Sequence, residues 1–370
     1  MPITYDSSTN TIVVVGGNET NPYTFEDIYQ ADQANGWGVV EKKETAYFIH
    51  AIIQLGDGDN DAWLVDKGKQ LFFYADADYA FKNSAKTGHL ILGEIENEEE
   101  KTTKNGCYVE CHQDSFSTNI KELNLLDTMM VSKSDRMSVI AATGCIGKIW
   151  NSKFQNFRFA GIAQHLDMYN IEFKQGYCPF ESFGVGSGNM EKITVMDVNY
   201  AVMFFRLYSL IIKELTAKSI NNALVQFFLA MGNSYAIDWD VDWNADVLEG
   251  FTFGDAKLWR QYSFNVRVQD ERNTPIPNAR VILKDNYSNT VYSETTDESG
   301  RTPTQVLNWG YYTLDGNGNC VEYLSTPHTL TVTKQGYKKY EAKIELIKKL
   351  IDFPVILEKE NINIDQEVLL

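Results

Sequence analysis

Short runs of β-branched, aliphatic and aromatic residues follow one another along most of the chain, separated by Gly, Asn, Ser and Lys. The first run, residues 11–15, stops at Gly16 and Gly17, and residues 71–74 and 90–93 are later runs of the same kind. Runs of this length between turn-forming residues are typical of β-strands. Further strands are predicted at residues 46–55, 137–142, 157–162, 168–173, 193–198, 210–215, 223–229 and 235–243.

One short helix interrupts this pattern near the beginning of the chain. Thr24 is placed to cap a helix, and Asp27, three residues later, gives a pattern similar to a capping box. The helix is predicted to end near Asn35 and Gly36. A short amphipathic helix at the front of a repetitive β-structure commonly closes the open end of its core.

The later strands recur every 12 to 26 residues, roughly, and few of them are joined by hairpin dipeptides. Such recurrence predicts an all-β fold, a right-handed parallel β-helix in which each coil buries its apolar face on its neighbours. Asn tolerates the left-handed conformation of tight corners. The corner candidates are Asn151, Asn156, Asn170, Asn199, Asn221 and Asn222. A β-sandwich or jelly roll is the competing prediction.

A second domain is predicted after a boundary near residues 250–262, giving a β-helix domain at 1–258, a small β-sandwich at 259–358 and an arm at 359–370. The sandwich strands are predicted at residues 264–268, 279–284, 290–295, 328–334, 340–346 and 353–357.

Composition narrows the possible functions. The net charge is −17, and no cluster of Lys and Arg offsets it, so we expect no nucleic-acid partner. No apolar stretch approaches the ~20 residues of a membrane span. The N-terminus lacks a basic start followed by an apolar run, so we expect no signal peptide and synthesis in the cytoplasm. Five irregularly spaced cysteines suggest free thiols and a reducing compartment.

Two constellations carry candidate chemistry. If residues 235–243 form a strand, Asp238, Asp240 and Asp242 lie on one face and offer three carboxylates to a calcium ion, or an acid and a base for glycan cleavage. The alternative to a functional site is that these three Asp side chains are simply solvated, while the Trp residues on the opposite face of the strand pack inward. Trp309, Tyr311 and Tyr312 form a candidate aromatic patch for a glycan or partner, and core packing explains them equally well.

The C-terminal part resembles the carboxypeptidase-regulatory-like (transthyretin-like) immunoglobulin-type domains. The resemblance rests on residues 264–268 (FNVRV), 275–281 (PIPNARV), 296–300 (TDESG) and 334–337 (KQGY). It covers residues 262–358 and implies an immunoglobulin-like spacer or adhesion module without an active site.

The N-terminal part resembles β-helix proteins of tailed phages and archaeal viruses, on residues 23–32, 36–38, 53–58 and 70–73. The pairing of such a β-helix with a terminal immunoglobulin-like module implies a virion protein. We therefore expect a non-enzymatic head decoration, fibre or tail-associated component that contacts other virion proteins or the host surface. By analogy we expect a homo-oligomer, and specifically a trimer, since trimers are common among β-helical viral fibres.

Two alternatives remain. One is a glycan-degrading tailspike, with Asp238, Asp240 and Asp242 as first candidates and Glu172 or Asp197 on neighbouring coils as partners. The other is a carbohydrate-binding adhesin that uses exposed aromatic rings. Neither requires a cofactor, apart from the candidate calcium ion.

Overall fold

The computed structural model describes residues 3–82, 87–117, 120–134, 137–141, 145–160, 165–183, 189–205, 211–230, 232–244, 246–252 and 256–360. The chain divides into two compact units. The N-terminal unit comprises Met1–Tyr235, Asp240–Lys257 and Thr313–Cys320, and the C-terminal unit comprises Ala236–Trp239, Leu258–Tyr312 and Val321–Leu370. Residues 142, 161–162 and 210 of the predicted strands, and 361–370 of the predicted arm, lie outside the described residues.

The described residues form strands and a single α-helix. The elements up to residue 132 are β1 (Ile3–Asp6), β2 (Thr11–Val14), α1 (Phe25–Asn35), β3 (Val40–Lys43), β4 (Ala46–Ile49), β5 (Ile52–Leu55), β6 (Ala62–Asp66), β7 (Gln70–Phe73), β8 (Tyr79–Lys82), β9 (Gly88–Leu92), β10 (Glu94–Asn97), β11 (Thr102–Lys104), β12 (Tyr108–Cys111), β13 (Ser115–Ser117), β14 (Glu122–Leu126) and β15 (Met129–Ser132).

The later elements continue the same pattern. They are β16 (Ser138–Ala141), β17 (Ile146–Trp150), β18 (Lys153–Gln155), β19 (Phe157–Ala160), β20 (His165–Gly176), β21 (Phe180–Phe183), β22 (Asn189–Val198), β23 (Val202–Phe205), β24 (Ile211–Ile220), β25 (Val225–Ala230), β26 (Asn233–Ile237), β27 (Leu248–Thr252), β28 (Lys257–Asp270), β29 (Arg280–Lys284), β30 (Thr290–Thr295), β31 (Gln305–Leu314), β32 (Cys320–Leu324), β33 (His328–Thr333), β34 (Tyr340–Ile344) and β35 (Leu350–Leu357). Among the described residues, no helix is long and apolar enough to cross a membrane.

Parallel pairing between successive coils confirms the predicted β-helix over the competing sandwich. One face runs through β2, β5, β8, β13, β16, β19, β21, β23, β25 and β27, and its neighbours from β2 onward are parallel. In the long strands Glu172 pairs with Thr194, and Thr194 pairs with Thr216, so these coils repeat every 22 residues. The predicted strand at residues 46–55 is two strands, because the chain leaves β4 at His50 and enters β5 on another face.

The coil corners are columns of residues with left-handed backbone. Asn151, Asn156 and Asn170 have φ of 53°, 57° and 54°, which confirms three of the predicted corners. Asn199, Asn221 and Asn222 do not have a left-handed backbone, so the other three predicted corners do not use this conformation. The register stacks Asn170, Lys192 and Glu214 in one column, and Gln175, Asp197 and Ser219 in another.

The interior of the β-helix is a stack of aromatic rings. Phe154 lies between Phe173 and Phe159, with ring centroids 5.0 Å and 5.1 Å away. All three rings are at most 2% exposed. Close packing of this kind leaves no space for water and ties each coil to the next.

Helix α1 begins where the sequence predicts. The Thr24 side chain accepts from the Asp27 N–H, the Asp27 carboxylate accepts from the Thr24 N–H, and Gly36 ends the helix in the left-handed conformation. Phe25 and Ile28 are buried, and the helix packs against β1, β3 and β6. Asp66 holds the helix start, since its carboxylate accepts from the Phe25 N–H at 2.9 Å.

The C-terminal unit contains a small antiparallel sheet in the order β30-β29-β33-β34. A second group has β28 between β31, which is antiparallel to it, and β35, which is parallel. Phe264 of β28 and Tyr292 of β30 are both buried and meet at 5.4 Å between ring centroids, so the two groups share one core.

Candidate functional site

The acidic run does not form the predicted strand. Strand β26 ends at Ile237, and Asp238 has φ of 55°. Asp238 is buried, and its carboxylate accepts hydrogen bonds from the Ser263 N–H at 2.6 Å and the Ser263 hydroxyl at 2.5 Å. Asp240 and Asp242 are exposed. The prediction that the three carboxylates share one face is therefore wrong, because a left-handed residue breaks the alternation that a strand requires.

The carboxylates of this run have separate surroundings. Asp242 accepts from the Asn244 N–H at 2.9 Å, and the Asp240 backbone bridges to Thr216. Within the part of the chain that the structure describes, no group of three or more His, Cys, Asp or Glu side chains is placed to hold a metal ion. The structure thus brings no calcium ligand set together at Asp238, Asp240 and Asp242.

The predicted aromatic patch is also split. Trp309 and Tyr312 are buried at 6% and 3% exposure, and only Tyr311 lies on the outer side of β31. A β-bulge explains this arrangement, because the register with β28 shifts beside Gly310 and the usual alternation fails there. A side chain at Gly310 would meet the Tyr323 carbonyl oxygen at 2.1 Å. Trp309 and Tyr312 cannot stack on a ligand as predicted.

The two buried rings surround a buried guanidinium that sequence reasoning missed. The Arg260 Cζ lies 4.2 Å from the Trp309 ring centroid, Nε donates to the Tyr262 hydroxyl at 2.8 Å, and Nη1 donates to the Tyr312 hydroxyl at 3.3 Å. Cation–π contact and charge-assisted hydrogen bonds offset the cost of burying the charge. These aromatic residues therefore stabilise the domain interior.

A partly exposed set of rings lies close to the predicted patch. We define the aromatic strip as Trp259, Tyr311 and Tyr323, one ring on each of β28, β31 and β32. Tyr311 lies 4.8 Å from both neighbours, and Tyr323 at the end of the strip is 46% exposed. Beside it, Gln261 Nε2 donates to Asn308 Oδ1 at 2.7 Å. An aromatic face next to amide groups suits the apolar faces and hydroxyls of a sugar.

A histidine that is only 5% exposed lies between two carboxylates and forms a second cluster in the β-helix. His89 Nδ1 lies 2.7 Å from Glu122 Oε2, and its Nε2 lies 3.5 Å from Asp61 Oδ2. The ring stacks on Trp63 at 3.8 Å, and Lys121 pairs with Asp61 at 2.9 Å. His89 and Glu122 stand on neighbouring coils because β9 and β14 are in parallel register. That pairing is non-local, so no sequence signal indicated it.

The perturbed acids and thiols have structural roles. Burial raises the pKa of Asp66, and its carboxylate accepts from the Phe25 and Lys67 N–H groups. Burial also raises the pKa of the Cys107 and Cys111 thiols to about 11 and that of Cys145 to about 12, so these thiols are protonated and unreactive at neutral pH.

No protein-family model matches the chain, and no curated protein does either. Among solved structures, a likeness is found to the enzymatically active domain of tailspike protein 2 from Bacteriophage CBA120. The identity is 10% and the TM-score 0.21, over 82% of this chain and 72% of that chain. This likeness indicates neither a family nor an activity, and the proposals below rest on the residues of this chain.

Proposed function

We propose that the protein is a non-enzymatic structural component of a virus particle, in which the β-helix is a rigid platform for assembly or host attachment. The observation that carries this proposal is the parallel register from β2 to β27 around a packed aromatic core. A stack of this kind resists bending, because each coil is bonded to the next along its whole length. Other virion proteins or the host surface would then contact the outer faces of the β-helix and the C-terminal unit.

The state of the carboxylates supports the non-enzymatic part of the proposal. Glycoside cleavage needs a general acid with a raised pKa near a second, ionised carboxyl group. Burial raises the pKa of Asp66, but this carboxyl group lies against the start of α1, where it accepts from the Phe25 N–H. A helix anchor of this kind does not reach a substrate.

The sequence resemblances support the virion part of the proposal. Residues 23–32 and 36–38 are similar to the start of viral β-helix proteins, and residues 262–358 are similar to immunoglobulin-type adhesion modules. The test is mass spectrometry of purified virus particles. Recovery of this chain at a fixed copy number supports the proposal, and its absence from particles contradicts it. The mass in solution tests the homotrimer that we propose by analogy.

We further propose that attachment uses the aromatic strip to bind host surface glycan. Tyr323→Ala should weaken binding to host cells or to their extracted polysaccharide about tenfold, since loss of one stacking ring removes roughly 1 to 2 kcal/mol. Tyr287→Ala is the matched control, because that ring is 66% exposed and lies outside the strip. Equal binding by both variants would contradict a glycan site at the strip.

The His89 cluster supports a second candidate function, a glycan-cleaving enzyme. Two carboxylates and an imidazole converge there beside Trp63, which offers an aromatic surface. If it is catalytic, Glu122→Gln should lower the release of reducing ends from host polysaccharide at least a hundredfold. Glu98→Gln, which removes a charge paired with Lys148 outside the cluster, is the control. Wild-type protein that releases no reducing ends contradicts this candidate.

A further inference from the structure

Most of the negative charge of the protein lies in its N-terminal part. Residues 1–258 contain 20 Lys and Arg against 35 Asp and Glu, whereas residues 259–360 contain 13 of each kind. A chain with net charge −17 repels anionic ligands over most of its surface. The C-terminal unit is therefore the more favourable place for an anion site.

The C-terminal unit has a cationic concavity at one end of its antiparallel sheet. Its volume is about 560 Å³, and its lining includes Arg280, Lys334, Lys339 and Tyr337. Three separate segments build it: the turn before β29, the turn between β33 and β34, and the chain near Glu360. We call this the basic pocket. It contains residues 334–337, which the sequence analysis singled out and the proposed function does not use.

Backbone pairing fixes the position of the cationic groups. Arg280 pairs with Thr333 across β29 and β33, so its side chain starts beside the turn that follows Thr333. That turn is closed by a hydrogen bond from the Tyr337 N–H to the Lys334 carbonyl at 3.1 Å, and the Glu360 N–H donates to the Gly336 carbonyl at 3.0 Å. The pocket is thus a built feature of the sheet end.

The basic side chains of the pocket differ in whether they already have hydrogen-bond or ion-pair partners. Lys334 Nζ lies 3.4 Å from the Asn278 carbonyl oxygen, and Lys339 pairs with Glu341 at 2.5 Å. Glu360 also lines the pocket and opposes an anion. Among the described residues, the Arg280 guanidinium has no hydrogen-bond or ion-pair partner. Its five donors match a carboxylate or a phosphate in two-point contact.

We propose that the basic pocket binds the anionic groups of a charged polysaccharide, with Arg280 as the main contact and Tyr337 beside the sugar ring. This inference rests on the proposed attachment function for its ligand source, a host surface polymer. Carboxylate and phosphate groups share the chemistry that Arg280 recognises. Tyr337 favours a sugar polymer over an acidic peptide, because an aromatic ring packs against the apolar face of a sugar.

The test is direct binding of the full chain to polygalacturonate, phosphorylated dextran, polyglutamate and neutral dextran, measured by calorimetry at low and physiological salt. Wild-type protein should bind one or both charged sugar polymers, more weakly as salt rises. Arg280→Gln should weaken that binding at least tenfold. Lys284→Gln, at the other end of β29 and outside the pocket, should retain it.

Each other outcome has a defined meaning. Unchanged binding by Arg280→Gln, or equal loss in Lys284→Gln, overturns the assignment to the pocket. Tighter binding of polyglutamate than of both sugar polymers overturns the choice of ligand. If charged polymers fail while Tyr323→Ala still weakens attachment to host cells, the basic pocket is wrong and the aromatic strip stands. If charged polymers bind but the chain is absent from particles, the pocket stands without the proposed function.

Discussion

Replacing Phe154 by alanine should lower the free energy of unfolding by about 3 to 5 kcal/mol, the usual cost of removing a buried ring and leaving a cavity. Phe154 is 2% exposed, and three further rings surround it, those of Phe157, Phe159 and Phe173. The cavity should not collapse, because hydrogen-bonded ladders on both sides hold β15, β18 and β20 in register.

Urea unfolding followed by circular dichroism measures this loss, and hydrogen exchange shows where it falls. Exchange should accelerate in β15, β18 and β20, since a stacked coil transmits its stability to its neighbours. Tyr74→Ala is the control, because that ring is 37% exposed on the outside of the β-helix. A loss below about 1 kcal/mol for Phe154→Ala would argue against a close-packed interior.

Local signals in the sequence were sufficient for α1 and for the β-helix. Thr24, Asp27 and Gly36 act through hydrogen bonds and backbone preferences within one helix, so their roles can be predicted from their order alone. Asn151, Asn156 and Asn170 were found at corners for the same reason, because Asn adopts the left-handed conformation at little cost.

The remaining corners could not be predicted, because the coil imposes them. Lys192 and Glu214 have φ of 57° and 56° in the column that contains Asn170, although neither residue type favours that conformation. The parallel ladders on both sides of each corner hold these residues in place. Tertiary pairing therefore decides the conformation there, and a single sequence does not display it.

The carboxylate site depended on the alternation of side chains along a strand, which fails where a strand is interrupted. Strand alternation predicted one carboxylate face for Asp238, Asp240 and Asp242, and a left-handed residue at Asp238 ended it. The bulge beside Gly310 leaves both Trp309 and Tyr312 buried, although residues three apart on a regular strand lie on opposite faces. Position 310 accepts only glycine, because a side chain there would meet the Tyr323 carbonyl oxygen of the neighbouring strand. The aromatic strip and the His89 cluster each consist of residues from different strands. Which strands are neighbours is not visible in the sequence, so neither site could be predicted from it.

Replacing Asp238 by alanine should lower the free energy of unfolding by about 2 to 4 kcal/mol, since it leaves the Ser263 N–H and hydroxyl without their acceptor. Asp240→Ala is the matched control, because that residue is exposed and should leave the midpoint of urea unfolding nearly unchanged. Adding calcium or a chelator should move neither midpoint. If both variants lose the same stability, and calcium shifts the wild-type midpoint upward, the carboxylates act together as a cation site, and the anchoring role of Asp238 is wrong. If only Asp238→Ala is destabilised, Asp238 has a structural role as the buried acceptor for Ser263 in the C-terminal unit. The sequence predicted a cation-binding or catalytic role for the same residue.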